Sequence, residues 1–185
     1  MRFEIDGFVL ECVEGEITDQ RGFEAVVNAA NAQLQPGGGV AGAIHRAAGP
    51  QLASACRPLA PIRPGQAVLT EAFDLPNDHV IHCLGPVYGH DEPAAELLAS
   101  CYRTALRLAE ERGIASIAFP ALSTGAFGYP MREAAIIAMQ TVASAIPHRR
   151  RVERVRFVLW GADALQAHIE AVAEVFGPDL APSSR

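Results

Sequence analysis

Two glycine-rich segments constrain this chain more than any other feature of its sequence. Residues 36–42 read PGGGVAG and residues 123–128 read STGAFG, and each follows a predicted strand and leads to a predicted helix. Glycine lets a backbone adopt positive φ and approach a ligand closely. A helix start presents unpaired N–H groups at the positive end of the helix dipole, so it attracts anions. Two such segments in one chain predict a bound diphosphate.

Length and composition predict one globular unit. The chain has 185 residues, of which 50% are hydrophobic and 19% charged. This length fits one domain, and a domain of this size buries roughly 70% of its unfolded surface. We predict a single domain over residues 1–176 and a flexible C-terminal tail over residues 177–185.

Strand and helix patterns alternate along the chain. Apolar runs predict strands at residues 3–14 (one or two strands), 25–29, 66–71, 79–84, 115–119 and 155–160. Periodic apolar positions between Gly and Pro boundaries predict helices at residues 40–48, 50–56, 92–112, 130–146 and 164–176. For the long helix, Asp91 is the predicted N-cap and Leu97, Cys101, Ala105 and Leu108 the predicted core face. The alternation predicts a mainly parallel sheet covered on both faces, with ligands bound beyond the carboxyl ends of its strands.

Charge and cysteine usage limit the classes of partner. The net charge is −6, and the densest basic stretch, residues 148–151, is predicted to solvate a helix-to-strand connection, so a nucleic-acid partner is not expected. The four cysteines are far apart and lie in apolar stretches, which predicts buried thiols. No signal peptide and no bilayer-spanning apolar run is recognisable, so we expect a cytoplasmic protein without membrane contact.

Several motifs together carry a family resemblance. They read VVNAAN at residues 26–31, GGGV at 37–40, GAIHRAAG at 42–49, VIHCLGP at 80–86, SIAFPALSTG at 116–125 and GYP at 128–130. In this combination the chain resembles the macrodomain family, and its MacroD-type branch in particular, from about residue 15 to the last helix. The resemblance implies a three-layer α/β/α sandwich around a mixed, mostly parallel sheet, with a cleft for ADP-ribose. Many members hydrolyse mono-ADP-ribosylated proteins or O-acetyl-ADP-ribose and others only bind; no metal or redox cofactor is implied.

The resemblance assigns one end of the cleft to adenine. Glu16 stands where the family usually has aspartate, which accepts a hydrogen bond from the adenine amino group, and Ile17 follows it. A well-aligned bond to a charged group contributes about 1.5–3 kcal/mol. Trp160, at the end of the last predicted strand, either stacks on adenine or belongs to the core.

The rest of the cleft is assigned to the ribose and the diphosphate. Asn31 is implied to bind the distal ribose hydroxyls and to orient the reacting sugar, because an amide both donates and accepts; the alternative is an asparagine that caps a turn. Asn28 is predicted to fix the loop backbone through its side chain. Phe127 either covers the distal ribose or packs on the core. The two implied walls are Gly37, Gly38, Gly39 and Val40, and then Ser123, Thr124, Gly125, Ala126 and Phe127.

One position departs from the MacroD pattern. Ala41 replaces the aspartate that is held to activate or position the attacking water, and alanine can do neither. Other macrodomains with hydrolase activity also have alanine here, and in those the substrate's own phosphate is thought to position the water. If residue 41 is helical, His45 lies one turn along the same face and is a candidate substitute base. His82 is also a possible general base. For both histidines the alternative is a buried ring whose hydrogen bonds are satisfied within the core.

Three functional interpretations remain open from the sequence. The first is a hydrolase that removes ADP-ribose or acetyl from an ADP-ribose conjugate, and the second is a reader that binds ADP-ribose without chemistry. The third, an RNA- or regulator-binding protein, is disfavoured by the acidic net charge. Residues 37–42 also match the dinucleotide fingerprint GxGxxG, but the loop before them is too long and no acidic residue ends a second strand about 20 residues later.

Overall fold

A seven-stranded mixed sheet forms the centre of the molecule. The structure, a computed structural model, describes residues 1–183. Its strands are β1 (Arg2–Ile5), β2 (Phe8–Glu14), β3 (Ala25–Ala29), β4 (Ala67–Glu71), β5 (His79–Cys83), β6 (Ser116–Phe119) and β7 (Arg154–Leu159). The spatial order is β1-β2-β7-β6-β3-β5-β4. The five inner strands pair in parallel, and the edge strands β1 and β4 pair antiparallel with their neighbours. The predicted mixed, mostly parallel sheet is confirmed.

Helices cover both faces of this sheet. They are α1 (Gly39–Ala48), α2 (Pro50–Cys56), α3 (Ala94–Arg112), α4 (Met131–Ala145) and α5 (Ala162–Phe176). One hydrophobic cluster joins the sheet to α3, α4 and α5, and a second joins it to α1 and α2. Adjacent strand residues point to opposite clusters, as Val26 and Val27 do in β3. This is the expected three-layer α/β/α arrangement, and the inner strands are mostly apolar because both of their faces are buried.

The start of α3 differs from the prediction. Asp91 is not its N-cap: the Asp91 carboxylate accepts a hydrogen bond from the Val87 N–H at 2.8 Å and folds the preceding loop. The helix begins at Ala94, whose N–H donates to the Glu92 carboxylate at 3.0 Å. The predicted cap was wrong because the local loop offers Asp91 a closer donor than the helix does.

The core face of α3 is also shifted from the predicted one. Cys101 and Ala105 are buried as predicted, together with Leu98 and Tyr102, whereas Leu97 and Leu108 are only half-buried. The end of the helix agrees with prediction, since Gly113 adopts a left-handed conformation and its N–H donates to the carbonyls of Ala109 and Glu110.

The C-terminal segment runs back along β1. Leu180 packs against the α3–α5 side of the core, and the Ser183 N–H donates to the Arg2 carbonyl at 2.7 Å. Residues 184 and 185 of the predicted tail lie outside the described residues. No helix in the described part of the chain is long and apolar enough to cross a membrane.

Candidate functional site

A cavity of about 620 Å³ opens at the carboxyl ends of the central strands. This volume lies within the ~300–1,000 Å³ of small-molecule sites, and the location is the one expected for ligands of an open α/β sheet. Both glycine-rich segments reach it, as predicted. The lining consists of Gly15, Glu16, Ile17, Gly39, Val40, Ala43, Arg46, Pro120, Ala121, Thr124, Gly125, Met131, Val158, Trp160 and Ala164.

The first glycine segment leads straight into α1. Gly38 is the N-cap in an extended conformation, no side chain caps the helix, and no acidic residue stands in its first turn. The first N–H groups of α1 therefore have no side-chain acceptor from the cap. A Cβ added at Gly38 or Gly39 would meet no atom within 4 Å. The front of this segment is thus open space beside a helix N-terminus, which suits an anionic group.

Behind this segment the packing is closed. A Cβ at Gly42 would overlap the Gly37 carbonyl oxygen, far inside van der Waals distance. Because Gly42 lies inside α1, its lack of a side chain lets the helix approach residues 37 and 38 directly. The sequence signal for this contact was a glycine in a helix interior, where glycine costs about 1 kcal/mol relative to alanine.

The second glycine segment is held by its own backbone. The Tyr129 N–H donates to the Ser123 carbonyl at 2.9 Å, and the Gly128 N–H donates to the Gly125 carbonyl at 2.9 Å. Thr124 and Gly125 line the cavity, and a Cβ at Gly125 would again meet nothing within 4 Å. This second wall therefore also presents an open backbone to the cavity.

Ser123 anchors that wall from behind. It adopts a positive φ of 65°, and its buried hydroxyl sits where the Cβ of any residue but glycine at position 85 would lie. Of the predicted walls, Gly39, Val40, Thr124 and Gly125 line the cavity, whereas Gly37, Gly38, Ser123, Ala126 and Phe127 are not among its lining residues. Phe127 is half-buried and packs against the α1–α2 side of the core, and its cover of the distal ribose stays a prediction.

One end of the cavity is apolar and aromatic. Trp160 lines it and is 80% exposed, so the interpretation of Trp160 as a core residue was wrong. Val158, Ile17 and Ala164 complete this end, and the exposed Glu16 stands at its margin. A flat, apolar group with one exposed polar edge fits such a subsite.

Asn31 braces the first segment from the side. Its amide Nδ2 donates to the Gln35 carbonyl at 2.7 Å, and its Oδ1 accepts from the Gln35 N–H at 3.0 Å. The same Nδ2 would lie 3.4 Å from a Cβ at Gly37. Asn31 is not among the cavity-lining residues. The turn-capping geometry that was the alternative is therefore present, and the ribose contact stays a prediction.

Below α1, away from the cavity, lies a buried polar cluster. Asn28 Nδ2 donates to His82 Nδ1 at 3.1 Å, and His82 Nε2 lies 3.0 Å from the Thr70 hydroxyl. That hydroxyl donates to the Glu71 carbonyl, so His82 carries its proton on Nε2. The prediction that Asn28 fixes the loop backbone was wrong, because its side chain turns to His82 across the sheet. His82 is a satisfied core histidine, as its alternative interpretation held.

His45 faces this cluster rather than the cavity. Its ring centroid lies 6.5 Å from that of His82, and neither of its nitrogens has a hydrogen-bond partner among the described residues. Burial lowers the pKa of His45; burial, together with the charge of His45, lowers the pKa of His82 to about 3. Both rings are neutral at pH 7. The structure does not bring His45 to the cavity, so it does not support a catalytic role for this residue. Ala41 is likewise buried, with 5% exposure.

Sequence reasoning missed the one basic side chain in the lining. Arg46 follows Ala43 by less than a turn of α1, and its guanidinium Nη1 would lie 3.0 Å from a Cβ at Gly42. The sequence contained a signal for this placement, because residues 43 and 46 are three apart and therefore lie on the same face of the helix whose start forms the wall. Arg46 and Glu16 are the charged residues of the lining.

A second cavity lies at the opposite end of the strands. It measures about 420 Å³ and is formed by the last turns of α3 and α4 with the connection to β7. The basic stretch 148–151 borders it as a helix-to-strand connection, as predicted, and the backbone N–H groups of residues 150–152 bind the Glu110 carboxylate. Among the described residues that line this cavity, none belongs to a glycine segment or to the start of an α-helix. Among the described residues, no group of three or more His, Cys, Asp or Glu side chains is placed to hold a metal.

Comparison with known proteins agrees with this geometry. The Macro domain family model matches residues 27–138. A Macro domain-containing protein of Chlorobaculum tepidum is 45% identical over 91% of this chain and 98% of its own length. An O-acetyl-ADP-ribose deacetylase of Enterobacter cloacae is 44% identical over 86% of this chain and 91% of its own length.

Solved structures give the same result. The Oceanobacillus iheyensis macrodomain with ADP superposes with a TM-score of 0.90 at 38% identity, covering 95% of this chain and 96% of that one. The Trypanosoma brucei macrodomain in complex with ADP-ribose superposes with a TM-score of 0.82 at 35% identity, covering 88% of this chain and 68% of that one. The chain belongs to the Macro domain family.

Proposed function

We propose that this protein binds ADP-ribose and hydrolyses its conjugates, either mono-ADP-ribosylated protein or O-acetyl-ADP-ribose. The observation that carries the proposal is the pair of open backbone walls around one cavity. At Gly38, Gly39 and Gly125 the space in front of each Cα is empty, and α1 begins at the same place. A diphosphate is the group that such walls of N–H donors suit.

The base would lie at the apolar end of the cavity. Trp160 offers an exposed ring for stacking, worth very roughly 1 kcal/mol, and Ile17 and Val158 offer apolar contact. The Glu16 carboxylate can accept a hydrogen bond from an exocyclic amino group at this margin. Relatives support the nucleotide, since macrodomains of similar structure are described with ADP and with ADP-ribose.

Hydrolysis would depend on positioning rather than on a strong base. In one reaction water adds at C1″ of the distal ribose and the acceptor side chain leaves with a proton. In the other, water adds to the ester carbonyl, and acetate and ADP-ribose form. The titratable groups of the lining are Glu16, at the base end, and Arg46. Oriented dipoles and fixed geometry can supply much of such a rate enhancement, and Asn31 remains our candidate for orienting the sugar.

The alternative is a reader that binds without turnover, and Ala41 is the observation that favours it. The position offers no carboxylate. Two relatives named as O-acetyl-ADP-ribose deacetylases, at 44% and 48% identity, favour the hydrolase over the reader.

Two measurements test the proposal. Calorimetry with free ADP-ribose should give a dissociation constant in the micromolar range; no binding below about 1 mM, near −4 kcal/mol, would reject the nucleotide assignment. Incubation with mono-ADP-ribosylated protein and with O-acetyl-ADP-ribose, followed by mass spectrometry of the products, separates enzyme from reader. Binding without either product would reject the hydrolase and support a reader that only binds ADP-ribose.

A further inference from the structure

An exposed tyrosine stands beside the second glycine segment, outside the cavity. The Tyr88 side chain is 44% exposed, and its ring centroid lies 4.8 Å from that of the buried Tyr129. The Tyr88 N–H donates to the Phe127 carbonyl at 2.9 Å. Its ring pairs with that of Tyr129, and its backbone is tied to the second glycine segment, so this exposed aromatic surface is held in a fixed position.

The order of the strands places Tyr88 at one end of the site. Along the carboxyl edge the parallel strands run β2, β7, β6, β3 and β5. Trp160 follows β7, the two glycine segments follow β6 and β3, and Tyr88 follows β5. Three strand spacings, roughly 14 Å, separate the first of these strands from the last. If the base lies at Trp160 and the diphosphate between the glycine segments, as proposed above, the far end of the ligand points towards Tyr88.

Two carboxylates follow this tyrosine pair closely in the chain. Glu92 stands four residues after Tyr88, and Glu133 stands four residues after Tyr129. Burial raises the pKa of Tyr129, and the charges of Glu133, Tyr88 and Glu92 raise it further, in agreement with that placement. Glu133 is in the first turn of α4, Glu92 precedes α3, and both are exposed. Asp91 adds a third carboxylate, 3.4 Å from the exposed His90 ring.

Little positive charge offsets these acids. The nearby Arg132 guanidinium is engaged with the Glu174 carboxylate at 2.6 Å, and His90 is the other basic group of the loop. The surface at this end of the site is therefore aromatic and acidic. It contrasts with the opposite end, where Trp160 is accompanied by Glu16 alone among acids of the lining.

We propose that Tyr88, Glu92 and Glu133 form a docking surface, the Tyr88 surface, for the protein part of an ADP-ribosylated substrate. The inference rests on the proposed function, and it names the substrate class: a segment with Lys or Arg beside the modified residue. A cationic side chain can lie over the Tyr88 ring while the carboxylates attract it. A metabolite such as O-acetyl-ADP-ribose has no such side chain and gains nothing from this surface.

The test compares two peptides that carry ADP-ribose through the same hydrolysis-resistant linkage. One has lysines and arginines on both sides of the modified residue, and the other has serines and alanines. Calorimetry measures each dissociation constant and that of free ADP-ribose, which serves as the reference. We expect the basic peptide to bind about fivefold more tightly than the neutral one at low salt, and the preference to shrink at 0.5 M salt because exposed charges are screened.

Two double variants locate the effect. Glu92→Gln/Glu133→Gln keeps the hydrogen-bond acceptors but removes two charges, and it should abolish most of the preference. Glu71→Gln/Glu153→Gln removes the same charge from exposed positions at the other end of the strands and should retain the preference. Tyr88→Ala should halve the preference or more, whereas Tyr88→Phe should retain it.

The outcomes distinguish a failure of the Tyr88 surface from a failure of the proposed function. If free ADP-ribose does not bind, the proposed function fails first. If free ADP-ribose binds but both peptides bind equally, the Tyr88 surface is overturned while the nucleotide site stands. Equal loss of preference in both double variants would also overturn it, because net charge rather than this surface would then select the peptide.

Discussion

The front and the back of the two glycine segments differ in what a side chain would meet. At the front, Gly38, Gly39 and Gly125 face empty space. At the back, a Cβ at Gly42 would overlap the Gly37 carbonyl, and one at Gly85 would overlap the Ser123 hydroxyl. The same residue type therefore serves two purposes: at the front it leaves room for a ligand, and at the back it lets backbone and side chain pack together. Substitutions on the two sides should affect affinity and stability differently.

The largest effect should come from the back, at Gly42. Gly42→Ala would stabilise an ordinary exposed helix by about 1 kcal/mol. Here the added methyl must displace the Gly37 carbonyl, so we expect a loss of about 1–3 kcal/mol in the free energy of unfolding and at least a 100-fold weaker affinity for ADP-ribose. Urea unfolding and calorimetry measure the two. A variant as stable as the parent, with unchanged affinity, would show that the contact behind the first segment is not needed.

A substitution at the front should separate binding from stability. Gly125→Val adds a branched side chain to a residue that lines the cavity, and its Cβ would meet no atom within 4 Å in the free protein. We expect the free energy of unfolding to stay within about 0.5 kcal/mol, and the affinity for ADP-ribose to fall about 10- to 100-fold because the second wall is blocked. Loss of stability with retained affinity would invert the comparison and remove position 125 from the site.

Asn31 lies between front and back, since its side chain braces the first segment and is proposed to orient the sugar. Asn31→Ala should slow hydrolysis about tenfold while weakening ADP-ribose binding by about threefold. Asn31→Asp is the matched variant: it can still accept the Gln35 N–H but cannot donate to the Gln35 carbonyl. Equal losses of kcat and affinity in Asn31→Ala would make Asn31 a brace and nothing more.

The features that the sequence predicted correctly depend on interactions between residues that are close together in the chain. The sheet, both glycine segments and the C-cap at Gly113 were predictable, because apolar runs and glycine boundaries are local signals. The pairing of Asn28 with His82 joins residues 54 positions apart, and the Gly85–Ser123 contact joins two separate loops. Asp91 failed as a cap because the competing donor, the Val87 N–H, becomes available only once the loop has folded. Arg46 was missed because an arginine on a helix is usually solvent-exposed, and only the folded arrangement shows that this exposed residue borders the cavity.

Acid should destabilise the folded core, where three histidines are buried, before it affects the open cavity. Burial lowers the pKa of His45, His82 and His168, the last two to about 3 and about 4. In the unfolded chain these rings titrate near pH 6.5. The unfolded state therefore binds protons that the folded state does not, so stability is present above pH 6.5 and falls as the pH drops below it. We expect a loss of about 1 kcal/mol for each of His82 and His168 between pH 6.5 and 5.5, and a further loss of the same sign from His45.

Urea unfolding at several pH values checks this slope. His82→Gln should lower stability at pH 7 but flatten its pH dependence, because one proton is no longer taken up on unfolding. His148→Gln, at an exposed position, is the control and should leave the slope as it is in the parent. An equal slope in the parent and in His82→Gln would show that the buried cluster does not sense acid.

The smallest effect should come from Ala41, which lies at the start of α1, between the open front and the packed back of the first segment. It is the third residue of α1 and 5% exposed, so Ala41→Asp places a carboxylate at the start of a helix that has no acid in its first turn. The helix dipole favours that charge by about 0.3–1 kcal/mol. If the carboxylate reaches the attacking water, hydrolysis should speed up about threefold to tenfold, below the ~10²–10⁴-fold typical of a well-placed general base. Ala41→Asn has the same shape without the charge and should not accelerate the reaction. An acceleration shared by both variants would point to loop geometry, and none in either would assign the water to the substrate's own phosphate.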